Sequence, residues 1–276
     1  MTDTQGYIYD PASATERTRL QALERLNDPA TIQHFEAVGV GPGWRCLEVG
    51  GGAGSIVRWL CERVGPGGRV VATDLDVRFL EEIDAANLEV RRHDIVEDEL
   101  EREAFDLVHA RFLLEHLPGY RDALTKMVDA LAPGGWIVVE DVDFAAAIMG
   151  DPAQRPGHPP ESIAIAAELT ERMVAFSGPR GIQAELGRHL PALLIDAGLQ
   201  DVGAEGRTSL MWSGSEESEV GRLSLERVTQ VALDAGLITP EDRARYLSIV
   251  TEPGVATFSP LRFGAWGRKP GETPTI

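Results

Sequence analysis

Between residues 44 and 141 the chain alternates short apolar runs rich in β-branched residues with stretches whose apolar residues return every three or four positions. The first pattern is that of a buried strand and the second that of an amphipathic helix, so the segment predicts an α/β unit with a mainly parallel sheet. Five strands are read: WRCLEVG (44–50), RVVATDL (69–75), LEVRRHD (88–94), FDLVHAR (105–111) and GWIVVED (135–141). Of the connecting helices, the first gathers Ile56, Trp59, Leu60 and Val64 on one face, the second Leu80 and Ile83, and the fourth Leu124, Met127, Val128 and Leu131. Gly65, Pro66, Gly67 and Gly68 end one helix, and Pro133, Gly134 and Gly135 end another.

The flanks follow other patterns. Residues 12–38 read as helical, broken at Asn27, Asp28 and Pro29, and are expected to lie over the top of the sheet. GDPAQRPGHPP (150–160) is too rich in proline and glycine for regular structure, and with the helix predicted at 161–176 it reads as a lid. A helix at 186–197, a strand at 199–208, two helical segments within 216–250 and a last strand ending in FGAWGR complete the chain. These elements predict one domain, 1–276, with a doubly wound, mainly parallel sheet of seven strands. Its parts are a helical N-terminal cap (1–40), a core (41–149), a lid insertion (150–180) and a C-terminal part of the sheet (181–276) carrying a helical insertion at 211–255.

Charge narrows the partners. With 44 acidic against 26 basic residues the net charge is −18, so the mean surface field repels phosphate backbones and anionic lipid. A small-molecule substrate is expected, and neither nucleic acid nor a membrane. The N-terminus lacks the basic start and apolar run of a signal peptide, and no apolar stretch approaches the ~20 residues that span a bilayer; a cytoplasmic location is expected. Cys46 falls in a strand and Cys61 in a helix, without metal-ligand spacing, and both are read as buried free thiols. No metal is expected.

The candidate chemistry starts at the end of the first strand, in LEVGGGAGS (47–55). A strand that runs through such a loop into a helix puts the loop at the carboxyl edge of the sheet, where open α/β sheets bind ligands. Gly50, Gly52 and Gly54 let the backbone turn tightly and admit a ligand against the main chain. A dinucleotide fingerprint, G-x-G-x-x-G/A, is a poor fit because Ser55 occupies its sixth position. The acidic Glu48 before the turn suits a ligand with a cationic amino group better than a pyrophosphate. Asp74 ends the second strand, where a carboxylate accepts from ribose hydroxyls, and Asp94 ends the third, near an adenine amino group.

Together LEVGGGAG (47–54), VVATDLD (70–76), RHDI (92–95), FDLVHARFLLEHLP (105–118) and LAPGGWIVVED (131–141) resemble the motifs of the class I S-adenosylmethionine-dependent methyltransferases. GYIYD (6–10) and GWRCLEVG (43–50) further resemble an actinobacterial group of specialised metabolism. The resemblance implies the Rossmann-like methyltransferase fold, S-adenosylmethionine as cofactor and S-adenosylhomocysteine as product. It places Glu48, Gly50, Gly52 and Gly54 at the methionine part, Asp74 with Leu75 at the ribose, and Asp94 with Ile95 at the adenine. It also implies an acceptor such as an indole-type ring. Tyr7 is either a lid over the cofactor, as in that group, or a packing residue against 12–38.

The sulfonium is a good leaving group, so alignment of the acceptor supplies most of the rate and a base is needed only where the acceptor must lose a proton. His116 is the candidate base by its near-neutral intrinsic pKa, or else packs or caps the following helix. Arg111 either binds the cofactor carboxylate or pairs with an acid. Tyr9, His158, Phe176 and Met211 are candidate acceptor contacts, or part of the lid's own core. His34, His93, His109 and His189 are read as structural or exposed. The rival functions are an NAD-dependent oxidoreductase and a non-catalytic adenosine-ligand-binding protein on the same fold.

Overall fold

The computed structural model describes residues 14–144, 146, 160–253 and 256–271. Five parallel strands, β1 (Arg45–Val49), β2 (Arg69–Asp74), β3 (Leu88–Arg92), β4 (Phe105–Arg111) and β5 (Leu131–Asp143), are joined by two later ones, β6 (Gln200–Arg207) and β9 (Leu261–Arg268). The sheet order is β3-β2-β1-β4-β5-β9-β6, with β9 antiparallel to both neighbours. The expected seven-stranded α/β sheet is present. Its order reverses between β1 and β4, so the loops after those strands flank a crevice at the carboxyl edge.

Alternation along the strands divides the core between two faces. Cys46, Val70, Ala72, Leu107 and Val138 pack under Phe35 and Val38 of α1 (Ala14–Val38) and under Ile56 and Leu60 of α2 (Ser55–Val64). Leu47, Val71, Val108 and Val139 pack on the opposite face, with Leu124 and Met127 of α3 (Tyr120–Ala130) and Leu190 and Leu194 of α5 (Leu186–Asp196). A third, smaller core joins Leu169 of α4 (Pro160–Ser177), Ala232 of α6 (Glu216–Asp234) and Tyr246 of α7 (Pro240–Thr251). The lid helix and the later helical insertion, read separately from sequence, thus share one core.

Four details differ from the sequence expectation. Pro29 does not break α1, which runs through it. Proline removes only the donor to the carbonyl four residues back, that of Arg25, and leaves the rest of the helix ladder in place. The helix expected around Leu80 and Ile83 is absent, and residues 75–87 form turns. Two apolar anchors three residues apart need only one turn, closed here by Ile83 N–H donating to the Leu80 carbonyl at 3.1 Å. Leu131, expected on a helix face, begins β5 opposite Phe105. Met211 lies on a short strand, β7 (Leu210–Trp212), which pairs with β8 (Ala256–Phe258) in a separate two-stranded sheet.

Candidate active site

The glycine loop is shaped by left-handed backbone at Gly50, Gly52 and Gly54, with φ of 77°, 56° and 87°, values that exclude most side chains. Its entry is pinned by Gly50 and Gly51 N–H donating to the Thr73 carbonyl at 2.8 and 3.0 Å. Leu80 and Ile83 wedge beneath it: a Cβ on Gly54 would meet Ile83 Cδ1 at 2.6 Å. Gly52 stays open above, with Leu20 of α1 3.9 Å from where its Cβ would stand.

Asp74 reaches back to this loop. Its carboxylate accepts from Gly52 N–H at 3.0 Å and from Asp76 N–H at 3.0 Å. Burial raises its pKa, and these N–H groups oppose the rise. Leu75 beside it is 48% exposed, an apolar side chain left open at the sheet edge. At the end of β3, Asp94 accepts from Val96 N–H at 2.9 Å, and Ile95 is buried beside it. Gly50, Gly52, Gly54, Asp74, Leu75, Asp94 and Ile95 therefore share one edge of the sheet.

The N-terminus of α2, next to the loop, is acidic by design of its neighbours. Ser55 N–H donates to Glu24 of α1 at 3.0 Å and the Ser55 hydroxyl donates to Asp28 at 3.0 Å. Burial, with Asp28 nearby, holds the Glu24 pKa above its ordinary value. A helix N-terminus is normally an anion site; here two carboxylates already face it.

Glu48 turns away from the loop. On β1 it shares the α1-covered face with Cys46, and its carboxylate meets His109 Nδ1 at 2.6 Å with 3% of the residue exposed. His109 Nε2 lies 3.7 Å from Glu140, which also meets His34 Nδ1 of α1 at 2.7 Å and accepts from the Thr31 hydroxyl. Burial disfavours the His109 cation, but Glu48 and Glu140 on either side lift its pKa to about 9. Burial likewise opposes ionisation of Glu140, and the two imidazoles hold it far below the usual carboxylate range. Arg111 joins this network rather than the loop, donating to Asp28 and Thr31, each at 2.8 Å.

His116 lies in the short turn Leu114–His116 after β4. Burial, with Arg19 nearby, pulls its pKa down to about 4, far from the near-neutral value on which the base role rested. Its neighbour Glu115 is buried and pushed up to about 8, while accepting from Val142 N–H at 3.0 Å. Asp141, buried against Glu115, is also raised well above its ordinary value. Glu115 is thus a buried acid beside His116, 2% exposed. The sequence reading passed over it; the signal was an acid set between Leu114 and Leu117 in an apolar loop.

The acceptor candidates scatter. Phe176 is half-buried on α4 and Met211 half-buried on β7; Tyr7, Tyr9 and His158 lie outside the described residues. A cleft of about 460 Å³ opens between α1, β5, β6 and β9, lined by His34, Phe112, Glu140, Arg207 and Arg262 among others. Phe112, which follows β4, has φ of 54°, a strained backbone for a non-glycine residue of the kind found at functional sites. A larger cleft, about 660 Å³, sits at the amino ends of β2 and β3 around Gly65, Arg69 and Asn87, on the wrong edge of the sheet for the glycine loop.

A sequence model of the family described as "Methyltransferase domain" matches residues 47–137, the stretch that holds the glycine loop, Asp74 and Asp94. Over residues 47–137 the chain is thus similar to methyltransferase domains. It is 28% identical over 142 residues to "Methyltransferase str2" of Strobilurus tenacellus, a match covering 50% of each chain. It is 25% identical over 254 residues to an uncharacterised 37.1 kDa protein in transposon TN4556 of Streptomyces fradiae, covering 90% of this chain and 70% of that one. The chain thus spans about half the length of the first of these relatives. A crystal structure of a putative methyltransferase from Bacillus halodurans superposes with TM-score 0.56 at 16% identity, over 88% of this chain and 99% of that one, and shares the fold. The matched segment ends inside β5, so α1, β6, β9 and the α4–α6–α7 cluster lie outside it.

Proposed function

We propose that this protein transfers a methyl group from S-adenosylmethionine to a small-molecule acceptor. The observation that carries the reading is the charge around the glycine loop: Glu24 and Asp28 at the start of α2, and Asp74 against Gly52. A dinucleotide would bring its pyrophosphate to that helix N-terminus and meet two carboxylates. A ligand with a cationic sulfonium and ammonium meets favourable charge there. This is the main argument against the NAD-dependent oxidoreductase, and it agrees with Ser55 at the fingerprint position.

In this reading Gly50, Gly52 and Gly54 admit the methionine part against the main chain, Asp74 accepts from the ribose hydroxyls, and Asp94 with Ile95 flanks the adenine. Leu75 covers one face of the purine with apolar surface. Glu48 acts from below, holding His109 charged and the β1–β4 edge rigid, without touching the ligand. When bound, S-adenosylmethionine supplies an electrophilic methyl on a good leaving group. The protein's task is then to align an acceptor atom in line with that methyl and to exclude water. Where the acceptor must lose a proton, His116 and Glu115, 3.3 Å apart after β4, are the candidate pair. An aromatic or heteroaromatic acceptor fits the apolar side chains around the crevice. The reading calls for no metal, and is one of a cytoplasmic enzyme; no helix among the described residues is long and apolar enough to cross a membrane.

The test is formation of S-adenosylhomocysteine from methyl-labelled S-adenosylmethionine across a panel of aromatic and heteroaromatic acceptors. Label recovered in an acceptor establishes the activity. Asp74→Ala is expected to weaken S-adenosylhomocysteine binding by about 1–3 kcal/mol, the range for buried polar groups left unpaired. Tight binding of the cofactor without transfer to any acceptor supports the non-catalytic rival.

A further inference from the structure

Strands β6 and β9 set Arg207 and Arg262 directly opposite each other in register. Like charges in that relation repel, and a sequence that keeps such a local conflict tends to do so where it binds something. Both arginines line the cleft between α1, β5, β6 and β9.

Their surroundings differ. Arg207 is matched by a carboxylate, donating to both Glu205 oxygens at 2.6 and 2.9 Å. Arg262 is not: among the described residues its guanidinium donates to Asn27 Oδ1 at 2.8 Å and to Ser209 Oγ at 2.9 Å, both neutral. Burial, and next the charge of Arg207, lower its pKa, and only Glu140 pulls the other way. Glu140 is already engaged by His34 and Thr31. A guanidinium has five N–H donors in a planar fork that matches a carboxylate, so this partly desolvated cation retains donors for an anion.

The walls fit an organic anion better than a bare inorganic one. Leu26 and Pro29 of α1, with Phe112 and Phe263, give the cleft apolar surface beside the two arginines. The cleft also adjoins the glycine loop, because Phe112 is followed by Leu113, whose Cδ1 is 3.3 Å from where a Cβ on Gly50 would lie.

We propose that this cleft receives the acceptor, that the acceptor carries a carboxylate on an aromatic or apolar body, and that Arg262 selects it. The proposal deepens the methyltransferase reading and rests on it. The carboxylate is that of the acceptor, not of the cofactor's methionine part, because Arg262 faces the cleft lined by β6 and β9 while the glycine loop follows β1.

The test is calorimetric titration of the full chain, saturated with S-adenosylhomocysteine, with benzoate and indole-3-carboxylate and with their uncharged amides. Each carboxylate is expected to bind about tenfold or more tightly than its amide, as a charge-assisted pair contributes. Arg262→Gln brings the two to parity with S-adenosylhomocysteine affinity unchanged. Arg262→Lys, which keeps the charge without the fork, retains part of the preference and serves where the glutamine variant does not fold. Parity in the wild type, including no binding by either, overturns the proposal. So does a preference that survives in Arg262→Gln, or a loss of S-adenosylhomocysteine affinity instead. If S-adenosylhomocysteine itself does not bind, the methyltransferase reading fails, and the same titrations without it still decide whether Arg262 holds a carboxylate.

Discussion

His109 carries its charge where water does not reach, and its stabilising effect therefore depends on pH. Its pKa is raised from 6.5 to about 9 in the folded chain. A group raised on folding stabilises fully below its unfolded pKa, and that contribution is lost as pH rises through the folded value. The interval corresponds to about 3 kcal/mol at ~1.4 kcal/mol per pH unit. Urea denaturation between pH 6.5 and 9 is expected to show stability falling, with His109→Gln showing a shallower slope whatever its absolute stability. Glu115, raised from 4.5 to about 8, adds a fall of the same sign at lower pH. Equal slopes in the two proteins would mean that His109 is neutral and the network is held by hydrogen bonds alone. This network was not legible in the sequence. His109 shares the face of Leu107 along β4, which marks an inward position, but His34 and Glu140 are 106 residues apart and meet only because α1 covers that face. By contrast Gly50, Gly52, Gly54, Asp74 and Asp94 were readable, since strand ends and turn glycines are set by local chemistry.

At the scale of elements, α1 is the piece that turns a sheet edge into a site. It brings Glu24 and Asp28 to α2, Thr31 and His34 to β5, and Asn27 to β9. Its seat on the sheet needs Gly264, where any Cβ would run into the His34 ring. Gly264→Ala is expected to destabilise the protein by about 1–3 kcal/mol, the usual effect of overpacking. In the His34→Ala background that loss should shrink, because the clash is with the ring; a loss as large as in the wild type would place the cause elsewhere. Apolar periodicity predicted α1, while proline as a breaker predicted a break at Pro29 that the helix, packed through Phe35 and Val38 on the sheet, does not show. The same limit applies to residues 75–87, where Leu80 and Ile83 pack under the loop as expected but from turns. β1, β2, β4 and β5 were legible because each is a largely buried apolar run, whereas β3 has no fully buried residue; β6 and the antiparallel β9 came from weaker signals at residues 199–208 and near FGAWGR.

At the scale of the molecule, an acidic chain of net charge −18 presents a sheet edge where acids converge on a glycine loop and one cleft holds an arginine that, among the described residues, donates to neutral partners. In the proposed function, that arrangement would separate a cationic cofactor from an anionic acceptor by sign. The separation requires that the loop prefer S-adenosylmethionine over a dinucleotide. Thermal unfolding of the full chain with S-adenosylmethionine, S-adenosylhomocysteine or NAD measures it most directly, because a ligand at 100 times its Kd stabilises by about 2.7 kcal/mol. Upward shifts in Tm with the first two and none with NAD are expected, whereas a shift with NAD alone would contradict the methyltransferase reading and make the glycine loop a dinucleotide site.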